Sequence, residues 1–390
     1  MLIRLSELKT FPCLMMMVFA LQTSLAFNAI DMLLASYALL ALMLVTSIVS
    51  FYLILRQRII SRSDFFSIVF LAIVTISSAI HGTDIEHWIH ICFAICLLRF
   101  MFNYYHHNLN PLIIGLAIGF CIAVVVQFLQ LIMNPSMWMI EDLKDISNYI
   151  LGGNYNQMGI RLLAALITNL LCIRIHKFFW FSFILCLITG LAIPFMVGSM
   201  TAVTCIVIFL FLCAIPLQRF RQVSVVVLFI SVILFQVFVC FNGKGVENNE
   251  LMVWLIEDVL GKDITFTYRT YMWDSALRII SQSPILGYGF PDNDWYIANM
   301  SSFAIGPHNI ILAVLVYGGA IALLLYLCIM AHSVIQLLRA PGYYAECIAI
   351  SISVVCLMML MEAYPMSLVF MFFILAEYYP DLYNKNTKKG

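Results

Sequence analysis

Four side chains in this chain, His308, Arg269, Arg161 and Glu362, combine a type and a setting that could do chemistry. His308 and Asn309 follow Gly306-Pro307, and the spacing puts both in the first turn of an apolar helix opening near residue 307. Histidines titrate near neutrality, so His308 reads either as a general base or hydrogen-bond donor or as an interfacial histidine reaching for water. Arg269 opens a segment of helical register over about 268–282, with Thr267 as its N-cap and Pro284 just past its end. Met272, Trp273, Ala276 and Ile280 share the face of Arg269 within about 60°. An arginine there needs an anion, which is either a phosphate-bearing ligand or an acid of the same stretch.

Arg161 sits one turn inside an apolar helix, where it points into a cavity or snorkels. Glu362, near the outer end of another, could pair with an arginine, assist proton transfer or serve structure alone. Arg278 is turned about 180° from Arg269 and has Asp274 as an i,i+4 partner, so it faces water while remaining a candidate substrate contact. The amide-rich run from Gly152 to Gln157, with Asn156, suits either a sugar-contacting loop or a plain turn. Trp254, Trp273, Tyr288, Trp295 and Tyr296 could stack on sugar faces or form an interfacial belt. The chain has no Walker A loop, dinucleotide fingerprint, paired-cysteine zinc spacing or His-Glu-x-x-His helix, so neither metal nor cofactor is expected. The 12 cysteines lie mostly inside apolar runs and read as small packers.

The elements that must position these residues are set by lipid. Of 390 residues 64% are hydrophobic and 10% charged, with a mean hydropathy of +1.01. That supply of charge cannot coat a soluble domain, whose residues are usually about one-quarter charged. The expected fold is all-α: a polytopic membrane protein of about twelve spans, each needing about 20 apolar residues. They are placed near 11–29, 32–55, 64–80, 88–103, 111–133, 158–173, 178–197, 200–217, 223–241, 307–330, 345–362 and 366–380, the first being an uncleaved helix. Residues 1–241 thus hold nine spans, 242–306 a long extracytoplasmic loop, 307–380 three more spans and 381–390 a cytoplasmic tail. Basic residues (Arg4 and Lys9; Arg56, Arg58 and Arg62; Arg174 and Lys177; Arg219 and Arg221; Arg339; Lys385, Lys388 and Lys389) mark alternate connections as cytoplasmic, with both termini inside. Acidic connections at Asp84 and Glu86, and at Glu141, Asp142 and Asp145, face outward with the long loop. Arg99, inside an apolar run, leaves the spans near 64–80 and 88–103 open to a shift of one.

The run Tyr268-Arg269-Thr270-Tyr271-Met272-Trp273, then Ala276-Leu277-Arg278-Ile279-Ile280, Ser283-Pro284-Ile285-Leu286-Gly287-Tyr288-Gly289, Gly306-Pro307-His308-Asn309 and Tyr317-Gly318-Gly319 closely resembles the O-antigen polymerase and O-antigen ligase superfamily. The resemblance implies a glycosyltransferase on the outer face of the bacterial cytoplasmic (inner) membrane, using undecaprenyl-diphosphate-linked oligosaccharide without a metal and with inversion. It assigns donor diphosphate to Arg269 and acceptor activation to His308. Membrane lipid, a flippase and a chain-length regulator are the implied partners, and nucleic acid is not. The family's further arginine after a serine at the outer start of a middle helix is replaced here: Gly198-Ser199-Met200-Thr201 stands in that place, and Arg161 could supply the missing charge. Polymerase is favoured over ligase, which would transfer the glycan to lipid A-core. A lipid-linked oligosaccharide flippase or transporter is the non-enzyme alternative, and it would want cations from several helices lining a central cavity.

Overall fold

The computed structural model describes residues 10–24, 61–133, 157–196, 199–259, 263–266, 268–300, 306–340 and 342–387, with isolated positions between 41 and 52. Among these the chain is mostly helical, with no strand. We number the main helices α1 (Thr10–Ser24), α2 (Arg62–His81), α3 (Ile85–Tyr104), α4 (Asn110–Met133), α5 (Met158–Ile173), α6 (Phe178–Met196), α7 (Met200–Ala214) and α8 (Gln218–Phe235). They continue as α9 (Arg269–Gln282), α10 (Asn293–Asn299), α11 (Ile310–Leu338), α12 (Tyr343–Met358) and α13 (Met366–Thr387). Among the described residues six helices are long and apolar enough to cross a membrane: α2, α3, α4, α6, α8 with its π-helical extension to Cys240, and α11. Four more, α1, α5, α7 and α12, are apolar but shorter. These helices have the length and apolar composition of an integral membrane protein, while the count of about twelve spans is not reached by that criterion among the described residues. The span expected at 32–55 lies outside the described residues, apart from a few helical positions.

Several ends differ from the hydropathy reading for local reasons. α7 stops at Ala214 because Pro216 forces Ile215 into extended backbone (ψ 124°). α12 stops at Met358, and residues 362–365, ending in Pro365, are non-helical. α13 runs past 380 to Thr387, so residues expected in a tail continue the helix. α11 starts at Ile310, three residues later than expected, and extends to Leu338.

The bundle packs α1 on α4, α4 and α6 on α5, α7 and α8 on α12, and α2, α9 and α13 on α11. At one end of the α2–α11–α13 group lies a buried polar knot. Ser61 and Asp64 form a reciprocal capping box that starts α2. Arg99 of α3, 2% exposed, reaches Glu377 of α13 at 2.6 Å, Ser63 at 2.6 Å and Asp64 at 3.4 Å. Asn103 adds 2.5 Å to Asp64, and His332 of α11 lies 4.0 Å from Glu377. An isolated guanidinium could not remain inside an apolar run, and the two carboxylates explain how this one does. The candidate residues gather at the other end of α11, beside its N-terminus.

Candidate functional site

The site begins with how α11 begins. Asn309 is its N-cap, accepting from the Leu312 amide at 3.1 Å. Its side-chain amide donates to Gln236 Oε1 at 2.8 Å and to the Leu360 carbonyl at 3.2 Å. Asn309 is fully buried, so it is a structural bolt between α8, α11 and the segment after α12 rather than the substrate contact expected of it. His308 is correspondingly not in the first helical turn. It precedes the cap with φ 45°, a left-handed conformation that non-glycine residues adopt only when their surroundings hold them there. Asn309 and the Ile310 amide, which donates to the Met359 carbonyl at 3.1 Å, supply that restraint.

Held so, His308 presents Nδ1 to Glu362 Oε1 at 3.0 Å, with the two side chains 13% and 8% exposed. In the tautomer whose Nδ1–H donates to this carboxylate, the Nε2 lone pair is left as an acceptor. Glu362 also faces Arg269, whose Nη2 lies 3.9 Å from Oε2. That is an ion-pair distance and not a hydrogen bond, and Oε2 has no hydrogen-bond partner among the described residues. Arg269 is fixed instead by backbone: Nε donates to the Met361 carbonyl at 2.8 Å and Nη1 to the Phe266 carbonyl at 3.1 Å. Its side chain is 22% exposed, and the Nη2 edge remains for an anion. The partner expected within the long loop is thus an acid from beyond α12.

Tyr364, buried two residues past Glu362, went unnoticed in the sequence. Burial first, and the Glu362 charge second, push its hydroxyl well above the usual tyrosine range, while Arg269 and Arg161 act in the opposite sense. Both arginines thus act electrostatically on Tyr364. Arg161, on α5, is 5% exposed and donates to Gln157 Oε1 at 3.1 Å, so no snorkelling side chain stands there.

Other candidates fall elsewhere. Trp273 is fully buried against Phe235 and Phe266 and is a core residue of the loop, not a sugar platform. Arg278 pairs with Asp274 at 3.7 Å and is 69% exposed, the water-facing option. Tyr288 is half-buried between His81 and Trp295, with ring centroids 5.1 and 5.3 Å away. Asn156 lies outside the described residues, as does Thr267; the N-cap position of α9 is Tyr268, at φ 66°. Met200 is exposed at the start of α7, with Ser199 buried beside it.

The glycine-punctuated segment has a structural explanation. α11 is broken at Gly318 (φ −148°) and Gly319 (φ 61°, ψ −157°), and residues 284–289 lie across the break. Tyr288 and Gly289 donate their amides to the Val316 and Tyr317 carbonyls at 2.7 and 2.9 Å. The Ala320 and Ile321 amides donate to the Pro284 and Ile285 carbonyls at 2.8 and 3.4 Å. The loop thereby takes over backbone groups that the interrupted helix cannot pair. A Cβ on Gly287 would fall on the Val316 carbonyl oxygen, and one on Gly319 on the Ile285 carbonyl. On its other side the segment is tied to α2 and the turn after it, Phe290 donating to Ser78 Oγ at 2.8 Å and Thr83 Oγ1 to the Tyr288 carbonyl at 3.0 Å.

A chain of long apolar helices that brings an arginine, a histidine and a carboxylate together beside the N-terminus of α11 is the class these observations define. Residues 178–327 match the O-antigen ligase family model, so this part of the chain is similar to the O-antigen ligase and polymerase superfamily. That stretch includes Arg269, His308 and the Gly318-Gly319 break, whereas Arg161, Glu362 and Tyr364 lie outside it. No curated protein matches the chain.

Proposed function

We propose that this protein is a polysaccharide polymerase of the O-antigen type, joining undecaprenyl-diphosphate-linked oligosaccharide units on the outer face of the bacterial cytoplasmic membrane, with both chain termini inside. The observation that carries the reading is the convergence of Arg269, His308 and Glu362 from three separate segments. Arg269, held by two carbonyls, offers its remaining edge to the donor diphosphate. Arg161, near Tyr364 from the opposite helix, supplies the second positive charge in place of the arginine absent at Met200. The acceptor hydroxyl attacks the anomeric carbon from the side opposite the diphosphate; its proton passes to His308 Nε2 as the new C–O bond forms. The anomeric C–O bond to phosphate breaks, and undecaprenyl diphosphate departs with the electron pair. Because the leaving group is already a stabilised anion, positioned arginines and a base suffice and no metal is invoked. Tyr288 and Trp295 offer faces for the sugars. Flippase and chain-length regulator proteins are the partners such a reaction would want.

Ligase activity, with lipid A-core as acceptor, is the second reading, favoured by the description of the matching family. The deciding experiment incubates purified protein in lipid with an undecaprenyl-diphosphate-linked repeat unit, no nucleotide and excess chelator, and looks for chain lengthening. A ladder that disappears in His308→Ala and Arg269→Ala establishes the polymerase. Transfer only to lipid A-core moves the assignment to ligase, and translocation without transfer moves it to a flippase. Turnover unchanged in Arg161→Ala would remove that residue from the clamp.

A further inference from the structure

Glu362 is asked to serve two neighbours that the reaction sets against each other. Oε1 is committed to His308 Nδ1 at 3.0 Å. Oε2 is buried, lacks a hydrogen bond and sits 3.9 Å from Arg269 Nη2, the same edge that an anion would need. Arg269 cannot swing away to serve both, because Nε and Nη1 are held by the Met361 and Phe266 carbonyls. Glu362 also acts on Tyr364, which Cys205, Arg269 and Arg161 influence as well.

The geometry points to Glu362 as a positioning residue with opposed effects: it holds the base for turnover while competing with the lipid diphosphate for Arg269, so that the spent carrier is expelled. This rests on the proposed function. During transfer the diphosphate occupies the Arg269 edge. Once the glycosyl group has left it, the carboxylate reclaims the guanidinium by charge alone, without a large movement, and weakens retention of the product. Removing the negative charge should therefore tighten binding of undecaprenyl diphosphate even as it slows the reaction, a combination that a merely structural carboxylate would not produce.

Two variants separate the roles. Glu362→Gln can still accept from Nδ1 but carries no charge. In lipid nanodiscs its Kd for undecaprenyl diphosphate should fall about tenfold, as loss of one repelling charge at this range allows, and product inhibition should deepen. Its kcat should fall at least tenfold. Glu362→Asp keeps the charge but draws the carboxylate back by one methylene. It should bind undecaprenyl diphosphate within about twofold of the parent while kcat falls by about a hundredfold, the order general-base contributions reach. Should Glu362→Gln give no folded protein by thermal unfolding, Glu362→Met replaces it as the uncharged variant. Unchanged or weaker carrier binding in the uncharged variant overturns the competition, and an Asp variant with parental kcat overturns the positioning. Arg269→Ala keeps the two ideas apart. If it leaves carrier binding intact, the proposed function has lost its anion site; if it weakens binding while Glu362→Gln does not strengthen it, only the present inference falls.

Discussion

Asn309 and His308 are adjacent in the chain and divide the work: the first is wholly buried and bonded to three elements, the second is turned by it into left-handed backbone that aims the imidazole at Glu362. A wholly buried residue thus sets the geometry of the proposed base. Asn309→Asp tests the division. Aspartate caps a helix as well as asparagine, so the cap survives, but the donor to Gln236 and Leu360 is lost. The expected outcome is a drop in kcat of at least tenfold with a change in donor KM below threefold, measured by chain lengthening on lipid-linked donor.

Arg269→Lys should fail nearly as completely as Arg269→Ala. A lysine ammonium is a single point and cannot bond two carbonyls while presenting a third edge to an anion, as the guanidinium does here. Residual turnover is expected at or below about one-hundredth of the parent. Activity within tenfold of the parent would mean that charge alone, without the fork, is what the site requires.

Gly319→Ala should destabilise the protein and abolish turnover together. The new Cβ meets the Ile285 carbonyl, and the residue is held at φ 61°, where a side chain costs of order 1 kcal/mol even before the clash. A lowered thermal transition in detergent, with faster proteolysis of residues 284–289, is the expected signature. An alanine variant with parental stability would show that the loop does not seat in the break.

Arg99→Leu leaves Asp64 and Glu377 buried without their cation, a loss of roughly 3–5 kcal/mol by comparison with other broken buried pairs. Because the knot lies at the opposite end of α11 from His308, whatever protein remains folded should keep its donor KM. The triple change Arg99→Leu, Asp64→Leu and Glu377→Leu should recover much of the stability. Thermal unfolding of the single and triple variants checks both statements.

How much of this could be read beforehand depends on the kind of interaction. Apolar runs are local, so hydropathy anticipates apolar helices, though not a confirmed count of twelve, and Pro216 accounts for the end at Ile215. The pairing of Arg269 and His308 was visible only as an order of motifs, because what joins them is Glu362, 54 residues beyond His308. Trp273 shows the limit in the other direction. Its place on the face of Arg269 was legible from periodicity, but periodicity does not distinguish a ring that packs from one that receives a sugar, and the neighbours Phe235 and Phe266 decide it. Tyr364 carried no signal at all: a lone tyrosine between two helices acquires interest only when two arginines from distant segments arrive beside it. Arg99 was conspicuous as a charge in an apolar run, yet its counterions lie on α2 and α13.

The interrupted α11 also has a bearing on biogenesis. When that helix first forms, the amides of Ala320 and Ile321 and the carbonyls of Val316 and Tyr317 have no helical partners, and the groups that satisfy them belong to residues 284–289 of the preceding segment. Docking of residues 284–289 is therefore the step that completes backbone pairing at the break. The same docking step fixes the end of α9, which carries Arg269 at its start, beside the helix that carries His308 at its mouth. On the proposed function, a newly made chain would gain activity only once residues 284–289 have docked, because that step joins the elements that carry Arg269 and His308.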